Sequence, residues 1–203
     1  PMTTNEELWL VAVSAGRWQV SGIRAALNSG LKVLALDGDH NAEGMEIATK
    51  SLVVDIKDPN AVLTAIKSTG IRPVGVVSFV SEVGMKAAAA IREYYDLVGP
   101  NYDLTYALTN KVRQREIWEK AQVPGPSWRA FCTVPEALEF SLAIGFPCII
   151  KPADSSGSRG VSKLESGYEL EGAAQKALES SYSSTALIEA FISGKEYAVE
   201  TFG

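Results

Sequence analysis

Leu8-Trp-Leu-Val-Ala-Val13 runs straight into Ser14-Ala15-Gly16-Arg17, and Val20, Ile23 and Leu27 follow at helical spacing. An unbroken apolar run of this length is what a strand buried on both faces requires. The polar turn and the spaced apolar residues then predict a helix, which Gly30 stops. The unit repeats. Lys32-Val-Leu-Ala-Leu-Asp37, Leu52-Val-Val-Asp-Ile56 and Val74-Gly-Val-Val-Ser-Phe79 are further short β-rich runs. Asp58-Pro59 supplies an N-cap and a first-turn proline for a helix ending at Gly70. Ser81 opens another helix through Ala87–Ala90 and Ile91. Strands at roughly twenty-residue spacing with helices between them predict βαβ units and a parallel sheet.

The pattern changes after residue 100. Asp103 to Ala121 reads as one helix, and Val123-Pro-Gly-Pro126 cannot continue it, which makes this the best domain boundary. Beyond it the sequence predicts a strand at 128–131, a helix from Pro135 to Ile144 and a strand at 147–151. A glycine-serine loop follows, then a strand at 161–164, a helix from Tyr168 to Ser180 and a strand at 185–189. That is a small α+β unit on a mostly antiparallel sheet. Glu196-Tyr-Ala-Val-Glu-Thr-Phe202 alternates as a strand should and then reaches Gly203, so the sequence is expected to be a piece cut in mid-domain.

Composition narrows the function classes. The 203 residues carry 19 Lys plus Arg against 24 Asp plus Glu, a net charge of −5. That sign argues against a general nucleic-acid or anionic-membrane binder, since like charges repel. A single histidine, His40, excludes a multi-histidine zinc site, and a solvated loop is its plainer setting. Two cysteines, Cys132 and Cys148, are too few for a disulfide framework and suit a reducing cytoplasm, with both expected inert in buried strands. No apolar run reaches the roughly 18–20 residues of a membrane span. No coiled-coil heptad fixes an oligomeric state, and a homodimer is compatible with the sequence.

Three stretches could carry chemistry. In Gly145-Phe-Pro-Cys-Ile-Ile-Lys151-Pro-Ala-Asp-Ser-Ser-Gly157-Ser-Arg-Gly160-Val161 a buried strand delivers Lys151 to a loop of small residues. Such a loop lets backbone N–H groups approach phosphate oxygens while the lysine supplies charge. The alternative is a flexible hairpin with a solvated lysine. It is not a P-loop, because Lys151 precedes the glycines. In Leu187-Ile-Glu189-Ala-Phe-Ile-Ser-Gly194-Lys-Glu196, Glu189 and the following backbone could meet the edge of an adenine, and Glu196 a ribose. Two solvated acids around a surface turn is the alternative. Thr109-Asn110-Lys111, alone, would be an ordinary solvated stretch of helix.

Together, Asn110-Lys111, Val123-Pro-Gly-Pro126, the Lys151–Val161 stretch, and Glu189 with Gly194 and Glu196 resemble the ATP-grasp superfamily. The resemblance is to the branch of carbamoyl-phosphate synthase large chain and biotin carboxylase, and Gly16-Arg17-Trp18-Gln19 with Asp37 extends it to the preceding domain. It implies a Rossmann-like pre-ATP-grasp domain at 1–126 and an ATP-grasp lid subdomain at 127–188. Residues 189–203 would begin an incomplete C-terminal subdomain. It also implies that Lys111 and Lys151 hold the ATP phosphates, with Lys151 also near the adenine. Ser155, Ser156, Gly157, Ser158 and Gly160 belong to the implied lid loop. Glu189 is implied at the adenine amino group, Ala190 to Ile192 at the base through their backbone, and Glu196 at the ribose. The implied reaction passes the γ-phosphate to a small-molecule carboxylate, giving an acylphosphate that an amine attacks.

The same resemblance puts the Mg²⁺ ligands and the arginine beside them outside these residues. No catalytic or metal-binding residue is therefore expected here, and the chain alone is expected to be inactive. Gly16, Arg17 and Asp37 are either a wall near the acceptor substrate or a tight turn with a strand-end cap. Two rival functions stand beside the ligase. An NAD(P)-dependent oxidoreductase lacks its Gly-x-Gly-x-x-Gly, since only Gly16 and Gly22 occur there. A non-catalytic nucleotide-binding protein is the other.

Overall fold

The structure, a computed structural model, describes residues 7–197 and 199. It divides into two compact units, Pro1–Tyr106 and Ala107–Gly203.

In the first unit β1 (Trp9–Val13) is followed by α1 (Val20–Asn28), β2 (Lys32–Asp37), α2 (Glu43–Ile47) and β3 (Lys50–Val53). Then come α3 (Pro59–Ser68), β4 (Pro73–Val77) and α4 (Met85–Tyr95). The strands form a parallel sheet in the order β3-β2-β1-β4. Because strand side chains alternate, Val11, Val13, Leu34 and Leu36 pack on one face with Val62 and Ile66 of α3 and Ala87, Ala88 and Ile91 of α4. Ala12, Val33 and Ala35 pack on the other with Ile23 and Ala26 of α1 and Met45 of α2. Two covered faces explain the unbroken apolar runs of β1 and β2. Asp58 caps α3 through the N–H groups of Asn60 and Ala61, with Pro59 in the first turn, as its sequence predicts.

The second unit follows α5 (Tyr102–Thr109), within which the two units divide. Its elements are α6 (Lys111–Lys120), β5 (Trp128–Phe131), α7 (Val134–Ile144), β6 (Cys148–Pro152), β7 (Ser162–Leu164), α8 (Leu170–Glu179) and β8 (Ala186–Ala190). The sheet runs β5-β8-β6-β7 with every neighbour antiparallel. Phe131, Cys148, Ile150, Leu164, Ala186 and Ile188 form its core with Ala137 of α7 and Leu170, Ala174 and Ala177 of α8.

Five local expectations differ from the structure. The helix read as continuous from Asp103 to Ala121 breaks at Asn110, which is extended and whose side chain caps α6 at the Arg113 N–H. An asparagine able to bond the backbone beyond it competes with helix propagation. The strand expected at 52–56 sits at 50–53, because pairing with Leu34–Asp37 of β2 sets its register. The helix expected from Ser81 starts at Met85, after a turn in which Ser78 Oγ donates to the Ser81 carbonyl. Cys132 lies just past β5 and is exposed, whereas Cys148 is buried in β6, which pushes its thiol pKa up. Of the strand expected at 196–202, Glu196, Tyr197 and Val199 form no strand, and the rest lie outside the described residues.

Two outcomes follow from the packing. A Cβ on Gly44 would stand 2.6 Å from the Ala15 carbonyl oxygen, which is backbone and already accepts the Gly44 N–H. Gly44→Ala should therefore cost about 1–3 kcal/mol, read as a lower urea midpoint at unchanged m. At the start of α7, Thr133 and Glu136 form a capping box, and the N–H groups of Cys132 and Thr133 hold the Glu136 carboxyl below its ordinary value of 4.5. A depressed folded value contributes stability fully above the unfolded value and loses it as pH falls through the folded one. The stability difference between wild type and Glu136→Gln should thus be constant near neutrality and shrink below about pH 4.

Candidate nucleotide site

On β8, Ala186 and Ile188 enter the core, so Leu187 and Glu189 face the opposite side of the sheet. On β6, Cys148 and Ile150 are the core residues, so Ile149 and Lys151 share the face of Glu189. Ile149 pairs with Glu189 and Lys151 with Leu187, which makes Lys151 the diagonal neighbour of Glu189. A long side chain spans that diagonal. The Lys151 ammonium donates to Glu189 Oε1.

Helix α6 supplies the third member. Arg115 donates to Glu189 Oε2 from Nε at 3.0 Å and from Nη2 at 2.8 Å. Its guanidinium carbon lies 4.6 Å from the centroid of the Trp118 ring one turn on. The side chains of Arg115, Lys151 and Glu189 keep only 11%, 16% and 8% of their exposure. Two cations enclose one carboxylate away from bulk water, leaving one positive charge in excess. Such a cluster attracts an anion.

Lys111 reaches the same strand exit. Its backbone N–H donates to the Ala153 carbonyl and its Nζ to the Ser155 carbonyl, both at 2.7 Å. The loop after β6 is tied at both ends. Asp154 Oδ1 accepts from Ser181 Oγ at 2.6 Å and from the Tyr182 N–H at 2.9 Å. At the far end Gly160 has φ +73°, and a Cβ there would stand 2.6 Å from that of Ser180. Between the anchors Ser155 is buried, Ser156 is half-buried, and Gly157, Ser158 and Arg159 are exposed.

Lys111, Lys151, Glu189 and the loop are thus brought together. The Ala190 N–H bonds the Ser127 carbonyl and that of Phe191 bonds Pro147, so Ala190 can offer a ligand only its carbonyl. Ile192 and Glu196 are exposed on the segment after β8. In the first unit, Asp37 accepts from the Ala15 N–H at 2.7 Å and the Asp39 N–H at 3.0 Å, the geometry of a strand-end cap. Gly16 accepts the Gln19 N–H, Arg17 lies against Trp18, and His40 is exposed beside Asp39. Sequence reasoning missed Arg115, although it falls one helical turn after Lys111, at the i, i+4 spacing that puts two residues on one face.

Residues 144–203 match the family described as ATP-grasp domain. A formate-dependent phosphoribosylglycinamide formyltransferase of Saccharolobus solfataricus is 30% identical over 148 residues, 71% of this chain and 37% of that protein. A D-alanine–D-alanine ligase of Pseudomonas putida is 33% identical over 90 residues, 44% of this chain and 28% of that one. These matches support the ATP-grasp superfamily for this chain. Among solved structures, an L-amino acid ligase from Bacillus licheniformis superposes with a TM-score of 0.74 at 19% identity, covering 93% of this chain and 45% of that one. An N5-carboxyaminoimidazole ribonucleotide synthetase in complex with ADP gives 0.72 at 17% identity, covering 91% and 47%. The mixed α/β fold, with one parallel and one antiparallel sheet, is shared with these solved structures. The chain spans under half the length of each of the four proteins compared here. Among the described residues no helix is long and apolar enough to cross a membrane.

The cluster predicts unequal costs for its members. Glu189→Ala strands two buried cations and should destabilise by about 3 kcal/mol. Lys151→Ala leaves Arg115 on the carboxylate and should cost less than half as much, both read by urea denaturation.

Proposed function

We propose that this chain carries the nucleotide-binding part of an ATP-dependent carboxylate–amine ligase. The observation that carries this reading is the buried Arg115–Glu189–Lys151 cluster, with Lys111 and the anchored Ser-Gly loop at the same strand exit. Lys151 Nζ is a donor and Glu189 Oε1 an acceptor, side by side. Adenine presents the complementary pair, the N7 acceptor and the N6 amino donor. The excess positive charge and the small loop residues suit the phosphates. The domain division implied by the sequence, with a lid at 127–188, belongs to the same proposal.

The reaction is written on the substrates. A carboxylate oxygen attacks the γ-phosphorus, the bond from that phosphorus to the β,γ-bridging oxygen breaks, and ADP leaves with the electron pair. The amine nitrogen then attacks the acylphosphate carbon, phosphate departs with the carbon–oxygen pair, and the nitrogen gives up a proton. Positioning and charge neutralisation are what a protein supplies to such a transfer. Lys111 and Lys151 would hold the phosphates for it. Magnesium normally takes carboxylate oxygens, and among the described residues no group of three His, Cys, Asp or Glu side chains gathers. The finer assignment to a carbamoyl-phosphate synthase-like branch rests on motif order alone. The named relatives range over formyl transfer and dipeptide ligation.

Calorimetric titration of the full chain with Mg-ATP tests the reading. Lys151→Ala and Lys111→Ala should each weaken binding by at least about ten-fold, the loss of a charge-assisted bond, with the fold retained. Wild-type affinity in both variants would remove the phosphate role.

A further inference from the structure

We propose that Arg115 is a positioning residue that fixes the orientation in which the Glu189 carboxylate meets the nucleotide base, and thereby sets selectivity for adenine over guanine. The inference rests on the nucleotide reading above.

A carboxylate has two oxygens with about four acceptor sites between them. Glu189 Oε2 receives both Nε and Nη2 of Arg115, which uses its two sites. Oε1 receives Lys151 and keeps one. The two arginine donors lie in one rigid plane and converge on Oε2, so they hold that oxygen in place in a way a single lysine point donor does not. The guanidinium is itself held against the Trp118 ring. Oε1 therefore stays the oxygen beside Lys151 Nζ.

The consequence is a fixed acceptor next to a donor. Adenine meets it with N6–H and N7. Guanine puts O6 where the amino group would be, so two acceptors face each other. Lys151 alone cannot enforce this. As a single flexible donor it follows the carboxylate wherever it turns, and without Arg115 it would be the only counter-ion of a buried charge. Both bases would then lose the released ammonium at N7, but adenine would also lose its oriented acceptor at N6, whereas guanine would be relieved of the repulsion at O6.

The test compares ADP and GDP dissociation constants, by calorimetry on the full chain, for wild type, Arg115→Met, Arg115→Lys and Trp118→Leu. Arg115→Met should weaken ADP by about ten-fold or more and GDP by no more than about two-fold, so the preference falls at least about five-fold. Arg115→Lys keeps the charge but not the fork and should recover less than half of the preference. Trp118→Leu leaves the ion cluster in place and should shift the preference the same way by a smaller factor, which keeps the test alive if Arg115→Met fails to fold. Equal weakening of both nucleotides, an unchanged preference, or full recovery in Arg115→Lys overturns the proposal. A wild-type chain that binds ADP without preferring it to GDP overturns this proposal alone. One that binds neither overturns the nucleotide reading, and this proposal with it.

Discussion

A carboxylate on the central strand of a small sheet, 8% exposed, is the constraint on which the second unit depends. An unpaired charge in such a place costs several kcal/mol, so Glu189 is tolerable only if cations reach it from elsewhere. One comes from the diagonal position on β6, which fixes Lys151 at the end of that strand and so sets where the loop begins. The other must come from outside the sheet. Arg115 supplies it, and a helix carrying Arg115 has to lie on this face rather than on the face covered by α7 and α8. The break at Asn110 fits this demand. A capped restart there gives α6 its own direction, and the first residue of that helix is pinned to the Ala153 carbonyl.

Much of the architecture could be read from the chain because it depends on periodicity and punctuation. Strands β1 and β2 announce themselves as runs apolar on both faces, α3 by Asp58-Pro59 and Gly70, and α7 by a helical stretch opening at Pro135. What escaped depends on competition or distance. Asn110 sits inside a stretch whose apolar spacing continues through it, so only its capping chemistry betrays the break. Helix α2 is five residues in a polar turn, held by the close approach of Gly44 to Ala15 rather than by any helical pattern. The position of β3 is set by its partner strand, and its own composition points two residues further on.

The site was legible to the same extent. Lys151, Glu189 and the Ser-Gly loop stood out because strand end, small residues and acid follow one another in a recognisable order, whereas Lys111 entered only through the family resemblance. Arg115 did not, since 74 residues separate it from Glu189 and nothing local distinguishes it from Arg113, which pairs with Glu116 on the exposed side. Asp37 illustrates the opposite case. Its sequence setting allowed a substrate contact or a cap, and two short bonds from Ala15 and Asp39 N–H groups use it as a cap.

The polar contacts of the second unit differ in how easily they can be exchanged. Lys111 Nζ donates to a neutral backbone carbonyl, a weaker acceptor than an anionic oxygen. Lys151 is a point donor on a flexible stem and can pivot between a carboxylate and a ligand. Arg115 differs from both, with two coplanar bonds and a stacked ring to give up at once. The Asp154 anchor to Ser181 and Tyr182, with the close fit of Gly160 against Ser180, likewise holds the ends of the loop while its tip stays exposed. Two lysines that donate as point charges and an exposed loop tip with anchored ends form an arrangement that can rearrange around an anion without dismantling the sheet beneath it.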